Sequence, residues 1–214
     1  MSKALGIPGD AGDTIRIRFH ETRMFLTKNP DAAAMRRFLE LQHDASFSYA
    51  EVGASQTAAP AGYNADHNRI RLGYGRETFE RGIEAVKGWK MFDFDWIEVF
   101  PARAPIEVGV TVAILAHHLG FHSLNASRIV YKTEESNADQ TYGFAYGTLM
   151  DHAEQGEERF TVEYHAKDES VWYDLFAFSR PRHPLAKAAY PLSRFLQRRF
   201  ARESLSAMLR AVNE

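Results

Sequence analysis

The chain has 214 residues, 45% hydrophobic and 25% charged, with 26 Lys and Arg against 28 Asp and Glu for a formal net charge of -2. That length supplies enough surface to bury a sizeable core, and the near balance of charge argues against nucleic acid as a partner. The absence of cysteine excludes disulfides, thiolate metal sites and cysteine nucleophiles. No apolar run approaches the ~20 residues of a membrane-spanning helix. The opening MSKALGIPGDAGD lacks a secretory hydrophobic core, so a cytoplasmic location is expected.

In chain order, Ile15, Ile17 and Phe19 alternate with arginines and predict a short strand. Asn29-Pro30-Asp31 predicts a helix start, and Met35, Phe38 and Leu39 continue it to His43. Residues 1–45 are read as an appendage that packs on the main domain or on a second copy of the chain, giving a homodimer contact, and 46–214 as the main domain. The segment 47–64 is rich in Ala, Gly, Ser and Pro and is expected to cross the surface as an ordered loop. Arg69 to Leu72 predicts a short strand, broken by Gly73 and Gly75, and Phe79, Ile83, Val86 and Trp89 predict a helix over 76–90. Strands follow at 94–100, 108–116, 126–133, 140–148, 158–166 and 170–179, with turns at 137–139, 154–156 and 167–169. A helix opening near Pro184, kinked at Pro191, carries an apolar stripe of Leu192, Phe195, Leu196, Leu205, Met208, Leu209 and Val212.

The order strand, helix, six strands, long helix implies an α+β fold. A curved antiparallel sheet of about seven strands would close around the C-terminal helix in the helix-grip arrangement of START-like and polyketide-cyclase-like proteins. Sheets and helices so arranged often enclose a cavity, which implies a small apolar or amphipathic ligand by analogy of fold. Several motifs also carry a family resemblance: YAEVGAS at 49–55, HNRIRLGYGRETFERG at 67–82, Trp89, PIEVG at 105–109, GFAYGTL at 143–149, GEERF at 156–160, VWYDLFAFSRP at 171–181 and YPLSRFLQRRFARES at 190–204. Together they resemble an uncharacterised family, the domain of unknown function nineteen-ninety, over roughly residues 46–212. That family has no established catalytic residues, so the resemblance implies none here. Some plant members are described as envelope pore proteins, but the polar alternation of these strands suits a soluble sheet better than a lipid-facing band.

Parity along the strands assigns faces. Glu158, Phe160, Val162 and Tyr164 share one face, Tyr173 and Leu175 another set, Phe144 and Tyr146 a third, and Ile129 and Tyr131 a fourth. All four sets are expected to face inward, making Tyr131, Tyr146, Glu158, Tyr164 and Tyr173 the candidate ligand-binding residues. Phenols in an apolar cavity can orient a ligand, and a semi-buried carboxyl can exchange protons, so an enzyme using Glu158 and a tyrosine is an alternative. Tyrosines that only fill a core, with Glu158 paired to an arginine, are the plainer reading. His117, His118 and His122 in HHLGFH are read as a surface turn, and no metal or cofactor is expected. Lys187, Arg194, Arg198, Arg199, Arg202 and Arg210 make the last helix basic. A membrane-surface or protein-interaction role is a further alternative, against a solvated face with internal pairs such as Arg199 to Glu203.

Overall fold

The computed structural model describes residues 25–182 and 190–214; the strand expected over 15–19, the helix opening at Pro184 and Lys187 lie outside them. The described chain forms β1 (Phe25–Leu26), α1 (Ala32–Leu41), β2 (Asn64–Tyr74), α2 (Arg76–Lys87), β3 (Ile97–Phe100), β4 (Thr111–His118), β5 (Phe121–Ser136), β6 (Gln140–Thr148), β7 (Glu154–Tyr164), β8 (Ser170–Pro181) and α3 (Tyr190–Asn213). One antiparallel sheet runs in the order β2-β8-β7-β6-β5-β4-β3. β1 pairs with β5 at Ser123 and His122, beyond the point where β6 ends.

The helices begin where local chemistry says they should. Asp31 caps α1 by accepting from the Ala34 amide at 2.7 Å. Gly75, at φ 83, makes the turn from β2 into α2, a backbone conformation that side chains with a Cβ resist. α2 then lies close to the sheet through Gly82, where an added Cβ would stand 2.7 Å from a Val162 methyl.

Both faces of the sheet are covered. On the inner face Phe144, Phe160, Val162, Tyr173 and Leu175 pack with α2, Trp89, Phe92 and the C-terminal half of α3. On the outer face Met35 and Phe38 of α1 pack against Ala113, Leu115, Leu124 and Ala126. The fold is thus α+β, a curved antiparallel sheet gripping a long C-terminal helix.

Several boundaries depart from the sequence reading. β2 is eleven residues long because Asn64, Asp66 and Asn68, though polar, pair with β8 at Ser179, Ala177 and Leu175. β7 starts at Glu154, so 154–156 is strand and the chain reverses over 149–153 instead. The described part of α3 runs unbroken from Tyr190 to Asn213, with Pro191 as its second residue. Its apolar stripe is also shorter than expected. Ala201, Ser204, Ala207, Met208 and Val212 are buried, whereas Leu192 and Phe195 are 52% and 57% exposed.

Candidate functional site

The two halves of α3 do different things. From Ala201 onward the helix closes the inner core; before it, Leu196, Gln197 and Phe200 roof a cavity of about 590 Å3, with Gln197 reaching Ser179 Oγ of β8 at 3.1 Å. That volume lies within the ~300–1,000 Å3 of small-molecule sites. Phe92, Trp96, Ile114 and Leu175 make the opposing walls, and small residues leave the space open at Ala116, Ser123, Ala177 and Ala201.

Polar groups reach the cavity from neighbouring strands. Tyr146 of β6 and Glu158 of β7 are directly opposite in the sheet register, and the Tyr146 hydroxyl donates to Glu158 Oε2 at 2.6 Å. Burial pushes the Glu158 carboxyl up to about 7; the hydrogen bond from Tyr146 opposes that shift and the nearby Asp66 adds to it. Burial, and then the Glu158 charge, hold the Tyr146 phenol well above its ordinary range. Four residues back along β7 on the same face, Glu154 is also raised to about 7 by burial, with Arg194 pulling the other way. His152, in the turn before β7, is lowered to about 4 by burial and is therefore neutral at neutral pH; its Nδ1 accepts from the Glu154 amide at 3.0 Å. Asp66 of β2 is held by Arg194 of α3 through two hydrogen bonds of 2.6 Å each. A carboxyl poised near 7 beside a phenol can exchange a proton at neutral pH. No arginine pairs with Glu158 among the described residues.

The five residues picked from the sequence separate. Tyr146 and Glu158 line the cavity. Tyr173 faces inward but is fully buried against α3, its hydroxyl 2.9 Å from Ser204 Oγ. Tyr164 also faces inward, at the other end of β7, packed on Phe79 with the Arg76 guanidinium 4.8 Å above its ring. Tyr131 is on the outer face: the pairing of β5 with β6 slips between Ile129 and Tyr131, and one extra residue reverses which face each later side chain takes. Its hydroxyl meets Ser55 Oγ at 2.7 Å.

The sequence reading takes His152 and Glu154 as turn residues and does not name Asp66 or Asn68, yet all four line the cavity. The signal for two of them was present. Glu154 has the same parity as Glu158, and Asp66 and Asn68 continue the alternation that ends in Ile70. His152 carries no such mark, since its burial comes from a turn folding under the helix.

The outer face explains the family motifs. Glu157 is 3% exposed and accepts from Tyr49 Oη at 2.7 Å, from the Gly53 and Ser55 amides at 2.6 and 3.0 Å, and from the Ser55 hydroxyl. Arg159 donates to the Ser55 carbonyl at 2.8 Å and to Asp174 at 3.1 Å. The Tyr49 ring lies so near β6 that a Cβ at Gly147 would stand 2.0 Å from its hydroxyl. YAEVGAS, GFAYGTL and GEERF are therefore parts of one structure, a loop fastened over the sheet by a buried carboxylate.

The histidines of HHLGFH form the β4–β5 hairpin, with His117 Nδ1 2.9 Å from His122 Nδ1 and His118 Nε2 2.9 Å from Ser123 Oγ. No group of three or more His, Asp or Glu converges as a metal site among the described residues. On α3, Arg199 donates to Glu203 at 2.8 Å and stacks over Trp96 at 4.8 Å, so part of the basic face is spent on the fold. No helix among the described residues is long and apolar enough to cross a membrane.

Sheet, gripping helix and internal space define the class: an α+β helix-grip protein with a cavity of ligand size. A family model described as "Domain of unknown function (DUF1990)" matches residues 48–207, and the chain belongs to that family. It is 33% identical over 207 residues to a UPF0548 protein of Dictyostelium discoideum, covering 88% of this chain and 96% of that one. To a UPF0548 protein of Deinococcus radiodurans it is 36% identical over 201 residues, covering 88% and 98%. Among solved structures it is similar to human STARD10, with a TM-score of 0.41, 14% identity and coverage of 85% of this chain and 81% of that one.

Proposed function

We propose that the protein binds a small apolar or amphipathic molecule in the cavity between the sheet and α3. The cavity carries this reading: about 590 Å3 with apolar walls and, along the β7 side, Tyr146, Glu154 and Glu158. A core built only for stability closes such a space, because interiors pack at crystal-like density. Here small side chains stand at Ala116 and Ala177 on the sheet and at Ala201 beneath the helix.

Freshly purified protein, examined by native mass spectrometry, is expected to retain a small molecule. Titration with the neutral dye Nile red is expected to saturate at one site. Ala116→Trp, which places an indole into the space, is expected to remove that binding by at least about tenfold, equivalent to ~1.4 kcal/mol. Absence of any retained molecule, together with equal dye binding by the wild type and Ala116→Trp, would overturn the reading.

A further inference from the structure

The polar groups of the cavity are unequally distributed in charge. Among the described residues that line it none is Lys or Arg, although Asp66, Glu154 and Glu158 all reach it. Of the described arginines near it, Arg194 of α3 has both terminal nitrogens on Asp66 at 2.6 Å, so that pair is internally neutral, and Arg182, beside His152, donates to the Met150 carbonyl. His152, from the turn before β7, is neutral because burial lowers it, and His118 of β4 is lowered by burial and by its neighbours His122 and His117. Glu157 turns to the outer face, where Tyr49, Gly53 and Ser55 satisfy it. Two carboxyls of β7 are left. Glu158 has one oxygen on Tyr146, and the carboxyl of Glu154 has no hydrogen-bond or ion-pair partner among the described residues. A carboxylate in an apolar wall is costly unless a cation or donor meets it, and the described residues offer these two only a phenol.

We infer that the cavity takes an amphipathic amine, an alkyl- or arylammonium compound whose apolar body lies against Phe92, Ile114 and Phe200 and whose nitrogen is held at Glu158, with Glu154 as a second acceptor along the same strand. This rests on the reading of the cavity as a ligand site and adds its chemical selectivity. A fatty acid fits the same apolar walls but brings a third carboxylate to the pair. A neutral alcohol donates one hydrogen bond and brings no charge. An ammonium group supplies both donors and the missing cation.

The test is displacement of Nile red from the full-length protein by dodecylamine, dodecanol and dodecanoate, each below its micellar concentration. At pH 8 dodecylamine is expected to half-displace the dye at a concentration at least about tenfold lower than dodecanoate, with dodecanol between them. The preference should fall to within about threefold at pH 5, where both glutamates hold protons while the alkylammonium stays charged, as a lysine amine does. Glu158→Gln should produce the same loss at pH 8, read as the ratio of the dodecylamine to the dodecanoate midpoint so that any change in dye affinity cancels. If Glu158→Gln fails to fold, Glu154→Gln and the wild-type pH comparison still decide. Dodecanoate displacing as well as dodecylamine, or a preference untouched by pH and by both variants, overturns the inference. In that outcome dye binding that Ala116→Trp blocks leaves the ligand site standing; dye binding that Ala116→Trp does not affect overturns both.

Discussion

Glu157 and Glu158 are adjacent in sequence and opposite in circumstance. Glu157 faces the loop over 49–55 and is met by four donors, whereas Glu158 faces the cavity and is met by one phenol. Glu157→Gln keeps the shape but turns an amide NH2 toward groups that themselves donate, and leaving a buried donor unmet costs about 1–3 kcal/mol. The variant should show a lower urea midpoint and faster protease cleavage within 50–63, and an unchanged midpoint would dismiss the fastening role. For Glu158 the sign reverses. Its carboxyl titrates at 4.5 ordinarily and at about 7 in the fold, so between those values the folded protein keeps a proton the unfolded chain has released. Stability therefore falls as pH rises from about 4.5 to about 7 and stays at the lower level above, a penalty of up to roughly 3 kcal/mol. Glu158→Gln, which still accepts from Tyr146, should raise the urea midpoint at pH 8 and leave it unchanged at pH 4.5. His152 works oppositely, stabilising as the neutral form and losing that contribution as pH falls from 6.5 to about 4, but it is common to both proteins and cancels in the comparison.

At the scale of elements, α3 divides at about Ala201. The C-terminal half buries Met208 and Val212 completely, so Met208→Ala should cost about 2–5 kcal/mol through lost burial and the void left behind. Leu192, more than half exposed at the mouth of the cavity, should change stability by no more than about 0.5 kcal/mol on conversion to Ala. Equal losses at the two positions, measured by denaturant unfolding, would remove the division. The basic character of this helix, conspicuous in the sequence, is partly consumed by Asp66 and Glu203. β5 shows how far one residue can matter: the slip after Ile129 sends Tyr131 through the sheet to the face where it meets Ser55.

For the whole molecule, the sheet acts as a partition. Its outer face is covered by α1 and the loop over 49–55, and its inner face by α2, the segment through Phe92 and the distal half of α3. Both covers are needed, because β5, β6 and β7 bury side chains on both sides: Phe144 and Phe160 inward, Leu124, Glu157 and Thr161 outward. Rigid packing on the outer face lets the inner face keep a space without collapse. The near-neutral net charge hides the local imbalance around Glu154 and Glu158, which no global count reveals.

Strand alternation and helix spacing are local properties of the chain, and they determined the element order, the inward faces of β6, β7 and β8, and the long closing helix. Tyr146 and Glu158 followed from that alternation, since parity sorts side chains wherever the register is regular. Register slips, turn burial and long-range pairing depend on contacts between residues far apart in the chain, and periodicity does not encode them. For that reason only the tertiary structure decided that Tyr131 leaves the inner face, that His152 and Glu154 join the cavity, that Arg194 is committed to Asp66, and that the motifs around Tyr49, Gly147 and Glu157 are a single fastening. The cavity belongs to the same class: it is set by how the first half of α3 lies across the sheet, a relation between elements that no single stretch of sequence contains.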